Sequence, residues 1–292
     1  MRVVMGFDGS PAAASAIGAA ALLLPGAHGW ITYLWGPPFT GDQVGRRLRE
    51  RIGNLDELMD AVEREGKFEA QRITATGVIL ATAAGWEAEP LLEKTYGAEG
   101  TAIVRAAEKV DADVVVVGAR GLGGSEAVLG SVSDMVVHYC PRPILVVPHP
   151  LLSTEFDSLA AGPVVVAWDG SAGAEAALAA AGRIFGHRSI VAVSVDDDAE
   201  VPAPPTGGSV THTHVTHTHV RRTGVRRARG VAAAVVAAAD DHDAAVVVVG
   251  SRGRSAVREI LMGSVAMGTL HLSHRPVLVV PDPERNATAT AR

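Results

Sequence analysis

The residues best placed to do chemistry in this chain are two glycine-rich stretches and two lone aspartates. Gly118-Ala119-Arg120-Gly121 is followed by Gly130-Ser131-Val132-Ser133, and Gly250-Ser251-Arg252-Gly253 by Gly263-Ser264-Val265-Ala266. Glycines let the backbone approach a ligand closely. Open amides and a serine hydroxyl at a helix start favour an anion such as phosphate. Arg120 and Arg252 lie inside the motifs, where they either screen phosphate charge or serve as surface arginines. Asp8 and Asp169 each follow a short apolar run, at the place where an open α/β sheet receives its ligands. In a single copy the glycines read equally well as turn residues and helix caps. Repetition of the whole spacing favours the ligand reading.

Other chemistries fit less well. The three lysines do not complete a nucleotide-binding Gly-x4-Gly-Lys-Ser/Thr loop, because Lys67 follows Gly66 but Ala61 stands where the first glycine belongs. Apart from Asp134 and the two aspartates, no general base stands near the glycine stretches, so efficient turnover is not expected. The run Thr211-His212-Thr213-His214-Val215-Thr216-His217-Thr218-His219-Val220 invites a metal reading. A regular strand sends His212 and His214 to one face and His217 and His219 to the other, so the four do not converge, and a Thr-rich strand is the expectation. Arg221, Arg222, Arg226, Arg227 and Arg229 read as the solvated start of a helix. Cys140 reads as a small semi-buried residue.

The elements that must position these residues come twice. VVMGFDGS (3–10) returns as VVVAWDGS (164–171), VVVVGARG (114–121) as VVVVGSRG (246–253), LGSV (129–132) as MGSV (262–265), and PRPILVVP (141–148) as RPVLVVP (275–281). Four blocks in one order mean two copies of one domain. The predicted domains are 1–150 and 162–283, with a linker at 151–161 and a flexible tail at 284–292.

In the first copy, all-apolar runs at 3–7 and 114–117 predict parallel strands buried on both faces. Ser10 and Pro11 predict a helix start. Further strands are expected at 30–35, 86–92 and 144–147, with a charged amphipathic helix within 41–66 and helices at 101–109 and 131–138. That alternation predicts a doubly wound parallel α/β sheet of order 3-2-1-4-5 in each copy, two open sheets in tandem with helices on both faces. The copies are offset by 161 residues at Asp8 and Asp169 but by 132 at Gly118 and Gly250. The missing 29 residues are assigned to the helix after strand two, since 196–208 is acidic and then rich in Pro and Gly. The second copy keeps strands at 190–195 and 211–220 and a helix at 225–239.

Composition sets the outer bounds. The chain has 292 residues, 48% hydrophobic and 20% charged, with a formal net charge of −6. That is enough apolar material for a sizeable core, and it forces no basic face, so nucleic acid is not an expected partner. One cysteine excludes a disulfide within the chain. Asp8 interrupts any signal-peptide core, and no run approaches the ~18 apolar residues of a membrane span, so a cytoplasmic protein is expected.

The combination of a post-strand Asp, Gly-x2-Gly-x9-Gly-Ser/Thr and a final Pro-x-Leu-Val-Val strand resembles the universal stress protein family in its tandem two-domain form, from Val3 to Pro281. The second copy keeps the full spacing, Gly250, Gly253, nine residues, Gly263, Ser264. The first has one residue fewer between Gly121 and Gly130. The resemblance implies ATP binding, with Mg2+ as its companion ion, and a regulatory or sensing role. Carried over residue by residue, Asp8 and Asp169 would hold ribose or adenine, with Gly6 beside the first. The backbone at Leu34 and Val195 would meet adenine. Gly118, Arg120, Gly121, Gly130, Ser131 and Val132 would cradle phosphate, as would Gly250, Arg252, Gly253, Gly263, Ser264 and Val265. Ser133 would add a hydroxyl that Ala266 lacks. Also implied is pairing of the final strands, 144–147 and 277–280, between the two halves of one chain, with a homodimer as a further association. A ligand-free partner-binding module and a slow ATPase stay open as alternatives.

Overall fold

The computed structural model describes residues 1–36, 43–96, 99–119, 129–196, 202–205, 215–221, 227–253 and 262–282. The first half runs β1 (Arg2–Gly6), α1 (Pro11–Leu23), β2 (His28–Trp35), α2 (Gln43–Arg51), α3 (Leu55–Ala83), β3 (Glu87–Lys94), α4 (Glu99–Lys109), β4 (Val114–Gly118), α5 (Ser131–Tyr139) and β5 (Ile144–Val147). A connecting helix follows, α6 (Ser153–Ala161). The second half runs β6 (Val164–Ala167), α7 (Ala172–Ile184), β7 (Ile190–Asp196), β8 (Val215–Arg221), α8 (Arg227–Asp241), β9 (Val246–Gly250), α9 (Ser264–Leu272) and β10 (Val277–Val280).

Within each half the strand order is 3-2-1-4-5, as expected. The two sheets are not separate, however. β5 and β10 pair antiparallel, with Leu145 opposite Leu278, and the result is one ten-stranded sheet, β3-β2-β1-β4-β5-β10-β9-β6-β7-β8. A last strand left at an edge would expose unpaired amides and carbonyls, and joining the two covers both. The outer edge strand β3 carries Pro90 with Glu87, Glu89 and Glu93, residues that oppose further pairing.

The central strands are apolar along their whole length because both faces are covered. Val3, Met5, Val114, Val116, Val246 and Val248 face α1, α6 and α7. Val4, Val115, Val117, Val247 and Val249 face α4, α5, α8 and α9. This two-residue alternation, buried either way, is what a parallel strand in a three-layer fold requires.

Two regions depart from the sequence-based expectation. First, the charged helix does not end near Gly66 but continues as α3 to Ala83. It can do so because Gly77 presents no side chain to the sheet. A Cβ there would lie 2.6 Å from Ile31 Cγ2 and 2.7 Å from Phe7 Cδ1. Thr74 and Thr76 satisfy their hydroxyls on the carbonyls of Ala70 and Arg72, one turn back.

Second, the linker contains a helix. Glu155 reaches back to accept from the Leu152 amide at 2.6 Å and fixes the start of α6, and Leu159 is fully buried. Arg188, 7% exposed, ties this joint together. Its guanidinium donates to the carbonyls of Leu22 in α1 (3.1 Å), Leu159 in α6 (2.6 Å) and Gly162 (3.0 Å). β8 is described from Val215; residues 211–214 of the expected strand lie outside the described residues, as do the tail 283–292 and the arginines at 222 and 226.

Candidate functional site

The carboxyl ends of β1, β2 and β4 and the start of α5 come together at one edge of the first half. After β1 the chain turns at Gly9, whose φ of +79° is a left-handed conformation that glycine adopts without strain. The Asp8 carboxylate accepts from the Ser10 amide at 2.9 Å, and the Ser10 hydroxyl accepts from the Ala13 amide at 3.2 Å, capping α1. This turn presents the exposed Asp8 at the mouth of the sheet. After β4, Gly118 lies against α1, where a Cβ would come within 3.3 Å of the Ala12 carbonyl. Gly130 is the N-cap of α5 and offers no side chain to its first amides, which therefore stay open to an anion.

These elements enclose a cavity of about 340 Å³. Of the residues singled out from the sequence, it brings together Gly6, Asp8, Leu34, Gly118, Gly130, Ser131, Val132 and Ser133. Arg120 and Gly121 lie outside the described residues. Ser133 is buried and donates its proton to the Gly118 carbonyl at 2.9 Å. It braces the strand end at Gly118.

Ser10 of the repeated Asp-Gly-Ser block also lines the cavity, as do Tyr33, Glu99 and Thr32, which carried no motif. Tyr33 stands next to Leu34 at the end of β2, and Glu99 opens α4. The Tyr33 phenol is pushed above its ordinary value, chiefly by burial and then by the negative charges of Glu69, Asp8 and Glu99. The cavity therefore has a carboxylate-rich end at Asp8 and Glu99 and a donor-rich end at the start of α5. Their only sequence signal was position, at the carboxyl end of a strand or the start of a helix.

The second half has the same parts in a different state. Asp169 makes the same turn, accepting from the Ser171 amide at 3.0 Å, but it is half-buried where Asp8 is exposed. The loop after β9 packs down on it: a Cβ on Gly253 would lie 2.8 Å from Asp169 Oδ2. The Arg252 carbonyl touches Gly173 in the first turn of α7. The Arg252 side chain pairs with Asp282 at 3.2 Å, both largely buried. Gly250 approaches the Gly173 carbonyl, Gly263 accepts the loop backbone by donating its amide to the Ser251 carbonyl at 2.7 Å, and Val195 is buried at the end of β7. Ser264 is exposed and Val265 half-buried at the start of α9.

Beside the β6 turn, Pro202 stands where Ile73 of α3 stands beside the β1 turn. The Trp168 indole, standing where the first half has Phe7, donates to the Pro202 carbonyl at 2.7 Å, and the Pro202 ring lies over Gly170.

Among the described residues no group of three or more His, Cys, Asp or Glu side chains converges as a metal site, and no helix is long and apolar enough to cross a membrane. His212 and His214 lie outside the described residues.

A sequence profile described as the "Universal stress protein family" matches residues 1–148 and again 161–281. The chain belongs to the universal stress protein family. It is a tandem member, with one family domain in each half. Known structures agree at the level of fold. A universal stress protein from Archaeoglobus fulgidus DSM 4304 superposes with a TM-score of 0.66 at 19% identity, covering 96% of this chain and 98% of that one. A putative universal stress protein from Pseudomonas aeruginosa UCBPP-PA14 gives 0.54 at 13%, covering 98% and 95%. A functionally unknown protein from Pseudomonas aeruginosa PAO1 gives 0.55 at 14%, covering 98% and 94%. No curated protein sequence matches. Membership makes this tandem universal stress protein a stress-response protein.

Proposed function

We propose that this universal stress protein binds an adenine nucleotide, ATP with Mg2+, in the first-half cavity, and that occupancy regulates the surface it offers to partners. One observation carries the reading. Asp8, Gly118 and the uncapped start of α5 surround a single cavity at the carboxyl ends of β1 and β4. A volume of about 340 Å³ suits a small-molecule site. The residues suit the ligand in two parts. Gly118, Gly130, Ser131 and the α5 amides supply close backbone approach and partial positive charge for phosphates. Asp8 and Glu99 supply acceptors for the hydroxyl and amine donors of a nucleoside, and the backbone at Leu34 lies beside them.

In this reading the protein is a binding module. Ligand that binds only the folded state stabilises it, so nucleotide level and fold stability are linked. The test is thermal unfolding with Mg-ATP, Mg-ADP and Mg-GTP. Saturation at about 100 times Kd is worth about 2.7 kcal/mol, a rise of roughly 5–10 °C for domains of this size. Equal melting with and without each nucleotide would contradict the proposal and favour a partner-binding module.

A further inference from the structure

Among the matched positions at which the two halves differ, three act on the same loop. Gly173 in α7 corresponds to Ala12 in α1. A Cβ at position 173 would clash with the Arg252 carbonyl oxygen, so only glycine lets the loop settle there. In the first half Ala12 already fills that volume. Ser251 corresponds to Ala119, and Asp282 to His149. The Ser251 hydroxyl accepts from the Asp282 amide at 3.0 Å, and the Asp282 carboxylate holds Arg252 at 3.2 Å. Ala119 has no hydroxyl and His149 no carboxylate, so the first half cannot build the same latch.

We infer that the second half is a self-closed site, in which residues 250–253 occupy the ground that a nucleotide would take, with Gly173, Ser251 and Asp282 as the residues that determine closure. This rests on the reading that the first half binds nucleotide. Gly253 lies on Asp169, covering the carboxylate that corresponds to Asp8. Arg252, the basic residue of the motif, is paired with Asp282, and both side chains are largely buried. The second half keeps the complete glycine spacing, yet those same glycines are what permit the loop to pack down. Glycine spacing alone therefore does not assign an occupied site. The chain would carry one nucleotide, with the second half serving as a rigid partner to the first through the shared sheet.

The experiment is site-resolved amide hydrogen exchange on the full chain, with and without Mg-ATP, for wild type, Gly173→Ala and Asp282→Asn. In wild type, added nucleotide should protect 6–13 and 129–133 and leave 169–174 and 250–253 unchanged. In the two variants the second-half segments should exchange faster without ligand and become protected with it, and bound ATP should rise from one to two per chain. Protection of both halves in wild type overturns the inference and leaves the nucleotide reading standing. Folded variants that still bind one ATP also overturn it. Absence of protection in every protein overturns the nucleotide reading, and the inference with it. Protection of the second half alone, in the variants only, supports closure and overturns the first-half site.

Discussion

The turn at Asp8 separates two contributions of one carboxylate, and a pair of substitutions tells them apart. Asp8 Oδ1 holds the Ser10 amide at 2.9 Å, while the rest of the group faces the cavity. Asp8→Asn keeps a carbonyl oxygen for the Ser10 amide but turns the other acceptor into a neutral donor. The fold should be unmoved. Binding should lose one charged hydrogen bond, about 1.5–3 kcal/mol, which weakens affinity by about tenfold to a hundredfold. Asp8→Ala loses the same bond to ligand and the turn as well. That amide-to-carboxylate hydrogen bond is exposed to solvent and worth about 1 kcal/mol, so the ligand-free melting temperature should fall by about 2–4 °C. Titration calorimetry with Mg-ATP reads the first effect, and thermal unfolding without ligand reads the second. If Asp8→Asn binds ATP as wild type does, Asp8 does not contact the nucleotide and the assignment of the carboxylate end fails. If Asp8→Asn lowers the ligand-free melting temperature as much as Asp8→Ala, the turn depends on charge rather than on the acceptor.

Three further outcomes follow from the packing. Arg188→Met keeps the aliphatic stem but strands three carbonyls at the joint of α1, α6 and the second half, and should cost about 3 kcal/mol in denaturant unfolding. A loss under about 1 kcal/mol would show that the joint does not need it. Gly77→Val drives a side chain into Ile31 and Phe7 and should destabilise by about 2 kcal/mol while loosening α3, read as faster amide exchange along 70–83; unchanged exchange would contradict the proposed close approach. His187 Nε2 accepts from Arg188 Nε at 3.1 Å, which requires a neutral ring, and burial followed by the Arg188 charge holds its pKa below the ordinary value. Because the folded pKa is depressed, this contribution to stability is present above about pH 6.5 and is lost as pH falls through the folded value. His187→Gln should therefore flatten the decline in stability on the acid side of pH 6.5, and an unchanged slope would assign that decline to other groups.

Much of the architecture was legible because parallel strands buried on both faces must be apolar throughout. Val114–Val117 and Val246–Val249 could hardly be anything else, and the repeated blocks fixed the tandem plan. What stayed hidden depends on tertiary contact. α3 passes through Gly66 and Gly77, residues that read locally as breakers, because the sheet needs a bare helix face at Gly77. α6 lies in a stretch of weak periodicity, since Leu159 alone carries much of its burial and Glu155 supplies the cap. The joining of the two sheets through β5 and β10 was implied by the resemblance alone, because two short apolar strands carry no local signal of which edge each one meets.

The same holds at the site. Gly118, Gly130 and Asp8 are marked by type and spacing, whereas Tyr33 and Glu99 reach the cavity only through the geometry of β2 and α4. The state of the second half depends on Gly173, Ser251 and Asp282. Each is unremarkable alone, and each matters through the loop it touches.

The most direct test of the central claim is to purify the chain without added nucleotide, dialyse it against Mg-ATP, remove free ligand, denature the protein and quantify the released adenine nucleotide by chromatography. The account predicts one nucleotide per chain in wild type and a sharp reduction in Asp8→Asn. No nucleotide from wild type would contradict it, as would release from Asp8→Asn equal to that from wild type.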